Sequence, residues 1–175
     1  MKKTKNLIIF TDLDGSLLHR ETFQFESIKA YIHKLISLGI IIIPNSSKTI
    51  KELELFNNEL KKNLAIIGEN GSIVNNLDLI NPNFPNQIIL SREKNEIMKI
   101  FKEKLPVSLK TKCHLINRMS LKKKAKIFGL KGKKLQLALS REYSIPFIFD
   151  GNNSEKKLLN KSVKKVGLSL HEGEE

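Results

Sequence analysis

Cysteine, tryptophan and long apolar runs are scarce in this sequence, and each scarcity removes a class of protein. The single cysteine, Cys113, cannot form an intramolecular disulfide and provides no cysteine cluster for a metal. With no tryptophan and only 6% aromatic residues, the core has to be built mainly from aliphatic side chains. The first apolar run, residues 7–10, is too short for a secretory signal, and no run approaches the roughly 18 apolar residues of a membrane span. We therefore expect a soluble, cytoplasmic protein.

Acidic residues are also few, since 18 Asp and Glu stand against 31 Lys and Arg and give a net charge of +13. Such a balance attracts nucleic acids, membranes or anionic metabolites. The lysines are, however, spread over several segments that are also rich in Ile and Asn, which indicates a general compositional bias. Nucleic acid and membrane are therefore not expected partners. The alternative is a non-catalytic binding module that uses its basic surface for an anionic partner. The densest basic cluster comprises Lys122, Lys123, Lys124, Lys126, Lys131, Lys133 and Lys134.

The most informative stretch is residues 6–18, which read NLIIFTDLDGSLL. Its apolar run is typical of a strand buried on both faces of a parallel sheet. Asp12 and Asp14 follow at the end of the strand, where ligands of open α/β sheets bind. Two acids in such a place are costly unless they are paired or bind a cation. The residues alone favour a hard-cation site with one carboxylate free for nucleophilic work. The alternative is an Asx-type turn in which Asp and Gly serve turn geometry.

Helical and strand patterns alternate through the first half of the chain. Helices are predicted at 25–38 and 49–60, and strands at 40–43 and 64–67. This order indicates right-handed βαβ units around a parallel sheet. The second half has a different texture, with short β-like pieces at 73–74 and 87–90. Its predicted helices are 92–105, 120–128, 131–141 and 154–163, and its predicted strands are 146–149 and 167–170. We therefore expect an α/β fold with a Rossmann-like core, residues 1–78, and an inserted α+β region, residues 79–175.

Residues 10–17, FTDLDGSL, resemble the first motif of haloacid dehalogenase-superfamily phosphatases. The resemblance implies that Asp12 is the nucleophile that takes the phosphoryl group. It implies that Asp14 is the general acid/base, which protonates the leaving oxygen and then activates water. It also implies Mg²⁺ as the cofactor, held by the Asp12 carboxylate and the backbone carbonyl of Asp14. A carboxylate can attack phosphorus only when cations neutralise the charge of the phosphate.

Ser46, at the end of the second predicted strand, is similar to the second motif of that superfamily, a hydroxyl that binds the transferring phosphoryl group. Ser47 and Lys48 follow at the start of a helix, where the backbone already favours an anion. We predict that all three residues bind phosphate. The alternative for the two serines is capping of the helix N-terminus, and the alternative for Lys48 is a solvated surface lysine.

Three segments, 46–49, 69–71 and 141–147, together resemble mannosyl-3-phosphoglycerate phosphatases, which carry an α+β cap inserted after the third core strand. Arg141 suits a carboxylate and Glu142 suits sugar hydroxyls. The alternative for this last segment is an exposed helix end with a surface ion pair. The resemblance implies that the substrate-binding residues are Glu69, Asn70, Arg141, Glu142 and Ser144.

The resemblance also implies a third-motif lysine and a fourth-motif acidic pair, and neither follows residue 170 in this sequence. The stretch at Asp150 has only a faint likeness to the fourth motif and is predicted to end a strand instead. We therefore expect the third metal ligand and the C-terminal core strands to be missing, with an unpaired sheet edge and uncovered apolar faces. The chain is then expected to be either an inactive phosphatase or one half of a split enzyme that a second chain completes.

Overall fold

The structure is a computed structural model that describes residues 7–19 and 25–173. Asn6, the first residue of the motif stretch, and the polar segment 20–24 lie outside the described residues. The chain divides into two compact units, of which the first ends at Ser91 and the second begins at Arg92. None of the described helices is long and apolar enough to cross a membrane.

The first unit is built from short strands connected by helices. Strand β1 (Ile8–Thr11) is followed by helix α1 (Glu26–Ser37) and strand β2 (Ile41–Pro44), and helix α2 (Ile50–Leu60) precedes strand β3 (Ile66–Gly68). Strands β1 and β2 pair in parallel along their whole length, and a parallel bridge connects the end of β2 with β3. The element order and the parallel pairing confirm the predicted α/β class.

The register of these strands brings their carboxyl ends together. Thr11, the last residue of β1, is paired with Pro44, the last residue of β2. The next residue, Asn45, donates its N–H to the Thr11 carbonyl at 2.8 Å and forms the bridge with Ile67 of β3. The residues that follow all three strands are therefore neighbours.

The core of the first unit lies between the two helices and the sheet. Leu13, Ile32, Leu53, Leu60 and Ile66 are at most 2% exposed and belong to one apolar cluster. Leu13 is notable because it comes directly after the first aspartate of the motif. Its burial anchors the motif loop to the core.

Strand β1 is less buried than its sequence predicts. Ile8 is 42% exposed and Phe10 is 62% exposed, whereas Ile9 and Thr11, on the other face, are half-buried. Among the described residues, β1 pairs only with β2. The prediction of a strand buried on both faces is therefore wrong, because burial depends on the neighbours of a strand and not on its apolar side chains alone.

Two further strands extend β3 into an antiparallel sheet. Strands β4 (Ile73–Asn75) and β5 (Gln87–Ile89) confirm the short β-like pieces predicted there, and the strand order is β3-β4-β5. Because β5 pairs with β4, it belongs to the first unit. The division between the compact units therefore falls at Ser91, after β5. The boundary between a core and an inserted region at 78/79 stays a prediction.

The second unit mixes helices with one small antiparallel sheet. Its elements are α3 (Lys94–Lys104), α4 (Val107–Lys110), β6 (Cys113–Leu115), α5 (Leu121–Phe128), α6 (Gly132–Leu139), β7 (Phe147–Phe149) and α7 (Asn153–Lys165). Strand β6, which was not predicted, pairs antiparallel with β7. The core of this unit includes Leu105, Leu109, Leu159 and Val163.

The strand predicted at 167–170 is not formed. Leu168 and Leu170 pack against the apolar cluster that contains Leu159, as the alternating pattern suggests. Their backbone, however, pairs with none of the strands in the described part of the chain. The alternation of apolar side chains was therefore a signal of packing and not of sheet formation.

Candidate active site

Asp12 lies at the carboxyl end of β1, where the chain turns sharply. One oxygen of its carboxylate, Oδ1, accepts the N–H of Leu13 at 2.7 Å, and the residue as a whole is exposed. Gly15 has a φ of +76°, and the N–H of Leu18 donates to the Leu13 carbonyl at 2.7 Å. The chain therefore turns here, but Asp12 Oδ1 bonds the N–H of the next residue and not of the one two positions on, which is not the Asx-type turn of the alternative. Because Asp12 remains exposed, this turn is compatible with a functional role.

Asp14 forms an ion pair with Lys48. The Lys48 Nζ lies 3.0 Å from Asp14 Oδ2, and the lysine side chain is only 15% exposed. The other oxygen, Asp14 Oδ1, is buried and has no hydrogen-bond partner among the described residues. A buried carboxylate oxygen without a partner is unfavourable, which makes this position suitable for a cation, a proton or a ligand donor. Lys48 is therefore not the solvated surface lysine of the alternative hypothesis.

The loop between β2 and α2 holds Ser46 and Ser47. Ser46 is 4% exposed, and its Oγ accepts the N–H of Lys48 at 3.3 Å, while Ser47 is exposed. The N-cap of α2 is Thr49, which forms a reciprocal capping box with Glu52. The alternative in which Ser46 or Ser47 caps the helix is therefore wrong. Both serines are in the loop that precedes the helix, where phosphate binding was predicted.

Glu69 and Asn70 follow β3 and contact the same loop through their backbone. The Glu69 N–H donates to the Lys48 carbonyl at 2.8 Å, and the Asn70 N–H donates to the Ser46 carbonyl at 3.1 Å. Glu69 is only 2% exposed, whereas Asn70 is exposed. The first unit thus brings together the predicted site residues of all three strand ends: Asp12, Asp14, Ser46, Ser47, Lys48, Glu69 and Asn70.

The remaining predicted residues form a separate cluster in the second unit, after α6. Arg141 Nη1 donates to Ser144 Oγ at 3.0 Å. Lys94 approaches the same segment, since its N–H donates to the Glu142 carbonyl at 2.7 Å and its Nζ to the Arg141 carbonyl at 3.3 Å. Arg141 and Ser144 are half-buried and Glu142 is exposed. The segment is therefore a loop that follows α6 and in which Arg141 contacts Ser144, and it is not the exposed helix end of the alternative.

Asp150 directly follows β7, which confirms the prediction that it ends a strand. Its Oδ2 lies 2.7 Å from His114 Nε2. The hydrogen bond from His114 lowers the pKa of Asp150, with smaller contributions from the charges of His114 and Lys112. This carboxylate is thus engaged by basic groups of its own unit, which supports its structural role.

Mg²⁺ prefers oxygen ligands and is commonly held by one or two carboxylates, with water and substrate phosphate completing the octahedron. Asp12 and Asp14 supply such oxygens, and the buried Asp14 Oδ1 lacks a partner among the described residues. The ligand atoms that these residues supply are therefore of the type that Mg²⁺ prefers. No described group of three or more His, Cys, Asp or Glu side chains could hold a metal ion, so the third ligand expected from the resemblance is not found within residues 7–19 and 25–173.

Two features of the site were not predicted from the sequence. The Thr49 capping box is written in the sequence as Thr49-x-x-Glu52, a known helix-start signature that could have been recognised. The ion pair between Asp14 and Lys48 has no such signal, because it depends on how the ends of β1 and β2 are juxtaposed.

Comparison with known proteins places the chain in a family. Residues 9–172 match the family described as haloacid dehalogenase-like hydrolase. A glucosyl-3-phosphoglycerate/mannosyl-3-phosphoglycerate phosphatase from Persephonella marina is 30% identical, with 95% of this chain and 64% of the relative covered. A phosphatase of the same name from Methanococcoides burtonii is 37% identical over 67 residues, which are 38% of this chain and 25% of the relative. The chain thus spans less than two thirds of the length of these relatives.

Solved structures show the same fold at lower identity. A protein from Thermoplasma acidophilum has a TM-score of 0.62 at 16% identity, with 95% of this chain and 60% of the other covered. A haloacid dehalogenase-like hydrolase from Bacteroides thetaiotaomicron has a TM-score of 0.59 at 16% identity, with 97% and 68% covered. These similarities support the fold and, by themselves, say nothing of the substrate.

Proposed function

Because this chain belongs to the haloacid dehalogenase-like hydrolase family, we propose that it is a Mg²⁺-dependent phosphomonoester hydrolase acting on a phosphorylated sugar-acid. The observation that carries the proposal is the pair of aspartates after β1, the second of which lies 3.0 Å from the ammonium group of Lys48. The name of the Persephonella marina relative makes mannosyl-3-phosphoglycerate the first substrate to test.

Asp12 is proposed to be the nucleophile. Its exposed carboxylate attacks phosphorus, the bond from phosphorus to the sugar-acid oxygen breaks, and an aspartyl-phosphate forms on Asp12. The hydrogen bond from the Leu13 N–H restricts the orientation of the carboxylate before the attack. The second step is hydrolysis of this acyl phosphate by water, which releases inorganic phosphate and restores the free carboxylate.

Asp14 is proposed to move the proton in both steps. In its protonated form it gives a proton to the leaving oxygen, and the resulting carboxylate then takes a proton from the attacking water. The ammonium group of Lys48 lies 3.0 Å from Asp14 Oδ2. When the anionic phosphate of the substrate enters, the lysine can pair with it instead, so that the Asp14 oxygen becomes accessible to the proton.

The charge of the phosphate is proposed to be balanced by the loop before α2 and by Mg²⁺. Ser46 and Lys48 lie in the loop directly before α2, whose N-terminal N–H groups and dipole favour an anion. Mg²⁺, held by the Asp12 carboxylate and the Asp14 carbonyl, would neutralise the developing negative charge on the phosphoryl oxygens. Arg141, oriented by Ser144, is proposed to bind the carboxylate of the sugar-acid, and Glu142 its hydroxyl groups.

The test of the chemistry is phosphate release from mannosyl-3-phosphoglycerate with Mg²⁺ by the full chain and by Asp12→Asn. The amide cannot attack phosphorus, so we expect no turnover from this variant. Asp78→Asn, in the same unit but outside the site, is the matched control and should behave as the parent. Asp14→Asn should accumulate phosphorylated protein, because hydrolysis of the intermediate needs the base. With the further segment described below added, turnover by Asp12→Asn equal to a measurable turnover of the parent would refute the assignment of the nucleophile.

A further polypeptide segment is proposed to complete the site. The apolar face of β1, next to Asp12, is uncovered among the described residues, and the chain spans 64% of the length of the Persephonella marina phosphatase. The part of that relative which this chain does not match can be added as a second polypeptide. Loss of one preorganised electrostatic group commonly costs about 10²–10³ in rate, so the addition should raise turnover by at least that factor. Equal turnover without the added segment would refute this part of the proposal.

A further inference from the structure

The segment after β3 has an unusual backbone conformation. Glu69, Asn70 and Gly71 have φ angles of +48°, +60° and +84°. This left-handed region suits glycine but is unfavourable for other residues. Two successive non-glycine residues persist there only when the surrounding structure enforces the conformation, and such strain is concentrated at functional sites. The contacts of this turn therefore indicate what it is for.

The turn is bonded directly to the loop between β2 and α2. Consecutive N–H groups of Glu69 and Asn70 donate to the carbonyls of Lys48 and Ser46, at 2.8 Å and 3.1 Å. The Ser46 N–H in turn donates to the Ile67 carbonyl at 3.0 Å. Both ends of the Ser46–Lys48 loop are thus held by the backbone that follows β3. The backbone angles of Glu69 set the plane of the peptide that carries the Asn70 N–H, so a right-handed backbone at Glu69 would direct this N–H away from the Ser46 carbonyl.

The close approach of the two segments depends on Gly68. A Cβ atom at this position would lie 2.9 Å from the Ile50 Cδ1 and 3.2 Å from the Lys48 carbonyl oxygen. There is therefore little free space between the end of β3 and the backbone of Lys48. A rigid turn in such close contact can determine the position of the Lys48 backbone. It thereby determines the position of the Lys48 Cα, from which the side chain extends.

From these contacts we infer that the Glu69–Gly71 turn is a positioning element, whose left-handed backbone holds Lys48 where its ammonium group reaches Asp14. Glu69 and Asn70 act through their N–H groups, on the loop, and do not need to touch substrate. The inference deepens the proposed function, since it assigns a role to residues that the resemblance gave to substrate binding. It also makes a statement about the Asp14–Lys48 pair that does not depend on turnover.

Asn70→Val tests the inference on the full chain. A β-branched residue strongly disfavours positive φ, so this change should disrupt the turn and its N–H bonds. Asn76→Val is the matched control, because Asn76 has almost the same φ, +61°, in the same unit, and neither it nor its side-chain partners belong to the site. Asn70→Gly is the conservative variant, since glycine adopts the left-handed conformation without strain.

The first readout is the ion pair itself, detected by NMR as a through-space correlation between the Lys48 ammonium protons and the Asp14 carboxylate carbon. The second is the dissociation constant of inorganic phosphate, followed by the Ser46 and Lys48 amide resonances. We expect Asn70→Val to lose the correlation and to bind phosphate at least tenfold more weakly, in line with the cost of misplacing a site group by about 1 Å. Asn76→Val should keep the correlation and bind phosphate within about twofold of the parent. Asn70→Gly should keep the correlation, because its backbone adopts the same conformation.

Two outcomes would overturn the inference. One is an intact Lys48–Asp14 correlation in Asn70→Val, and the other is its loss in Asn70→Val and Asn76→Val alike, which would show general loosening of the unit. If the parent chain keeps the correlation but does not bind phosphate, the proposed function fails while the ion-pair readout still decides the role of the turn.

Discussion

Substitution of Gly68 by alanine sets two effects of known size against each other. Gly68 has an extended backbone, with φ −116°, so alanine fits its conformation and would stabilise the fold by about 0.4–1 kcal/mol through the unfolded chain. Against this, the new Cβ would lie 2.9 Å from Ile50 Cδ1 and 3.2 Å from the Lys48 carbonyl oxygen. The end of the isoleucine side chain can move at little cost, but the carbonyl belongs to a hydrogen-bonded backbone.

Overpacking of this kind typically costs about 1–3 kcal/mol. The steric cost therefore exceeds the entropic gain, and we expect Gly68→Ala to lower the free energy of unfolding by about 1 kcal/mol. Urea unfolding followed by circular dichroism measures this difference. Gly173→Ala is the control, because no atom lies within 4 Å of its added Cβ, and it should not destabilise the protein. A Gly68→Ala variant as stable as the parent would refute the idea that β3 and the Lys48 backbone are in obligatory close contact.

Three further predictions concern the helix cap, the buried thiol and the basic surface. Thr49→Ala should cost about 1 kcal/mol of unfolding free energy in a urea titration, because the Glu52 N–H loses its capping oxygen, whereas Thr49→Ser should retain most of the stability. Burial, with a smaller contribution from Asp150, raises the pKa of Cys113 from 9.0 to about 11. The thiol therefore loses its proton at lower pH in the unfolded chain than in the folded one. The free energy of unfolding should fall as pH rises from 9.0 to about 11, and this part of the pH dependence should be absent in Cys113→Ala. Binding to duplex DNA should be weak and lost steeply with added salt, and a fluorescence titration that finds a specific complex at physiological salt would contradict the compositional explanation of the charge.

The order of elements in the first unit could be predicted because each carries a local signal. The apolar runs that form β1, β2 and β3 are short and separated by helical periodicity, so their existence and parallel pairing follow from sequence pattern. The placement of Asp12 and Ser46 at neighbouring strand ends follows from the same topology. These expectations need no knowledge of side-chain packing.

The features that could not be predicted depend on neighbours distant in sequence. The exposure of Phe10 depends on which elements pack against β1, and it cannot be inferred from the residue type of Phe10 itself. Strand β6 is only three residues long and is defined by its pairing with β7. The positive φ of Glu69 runs against the preference of that residue type, and it depends on contacts with the Lys48 loop, which is distant in sequence.

The exposed face of β1 has a consequence for the colloidal behaviour of the protein. Ile8 and Phe10 form an exposed apolar surface on which copies of this chain can associate, while the net charge of +13 makes the copies repel one another. Salt shortens the range of this repulsion to about 10 Å at 0.1 M but leaves the apolar attraction in place. We therefore expect solutions of the chain to remain dispersed in dilute buffer and to become turbid as the ionic strength is raised, which is the reverse of ordinary salting-in.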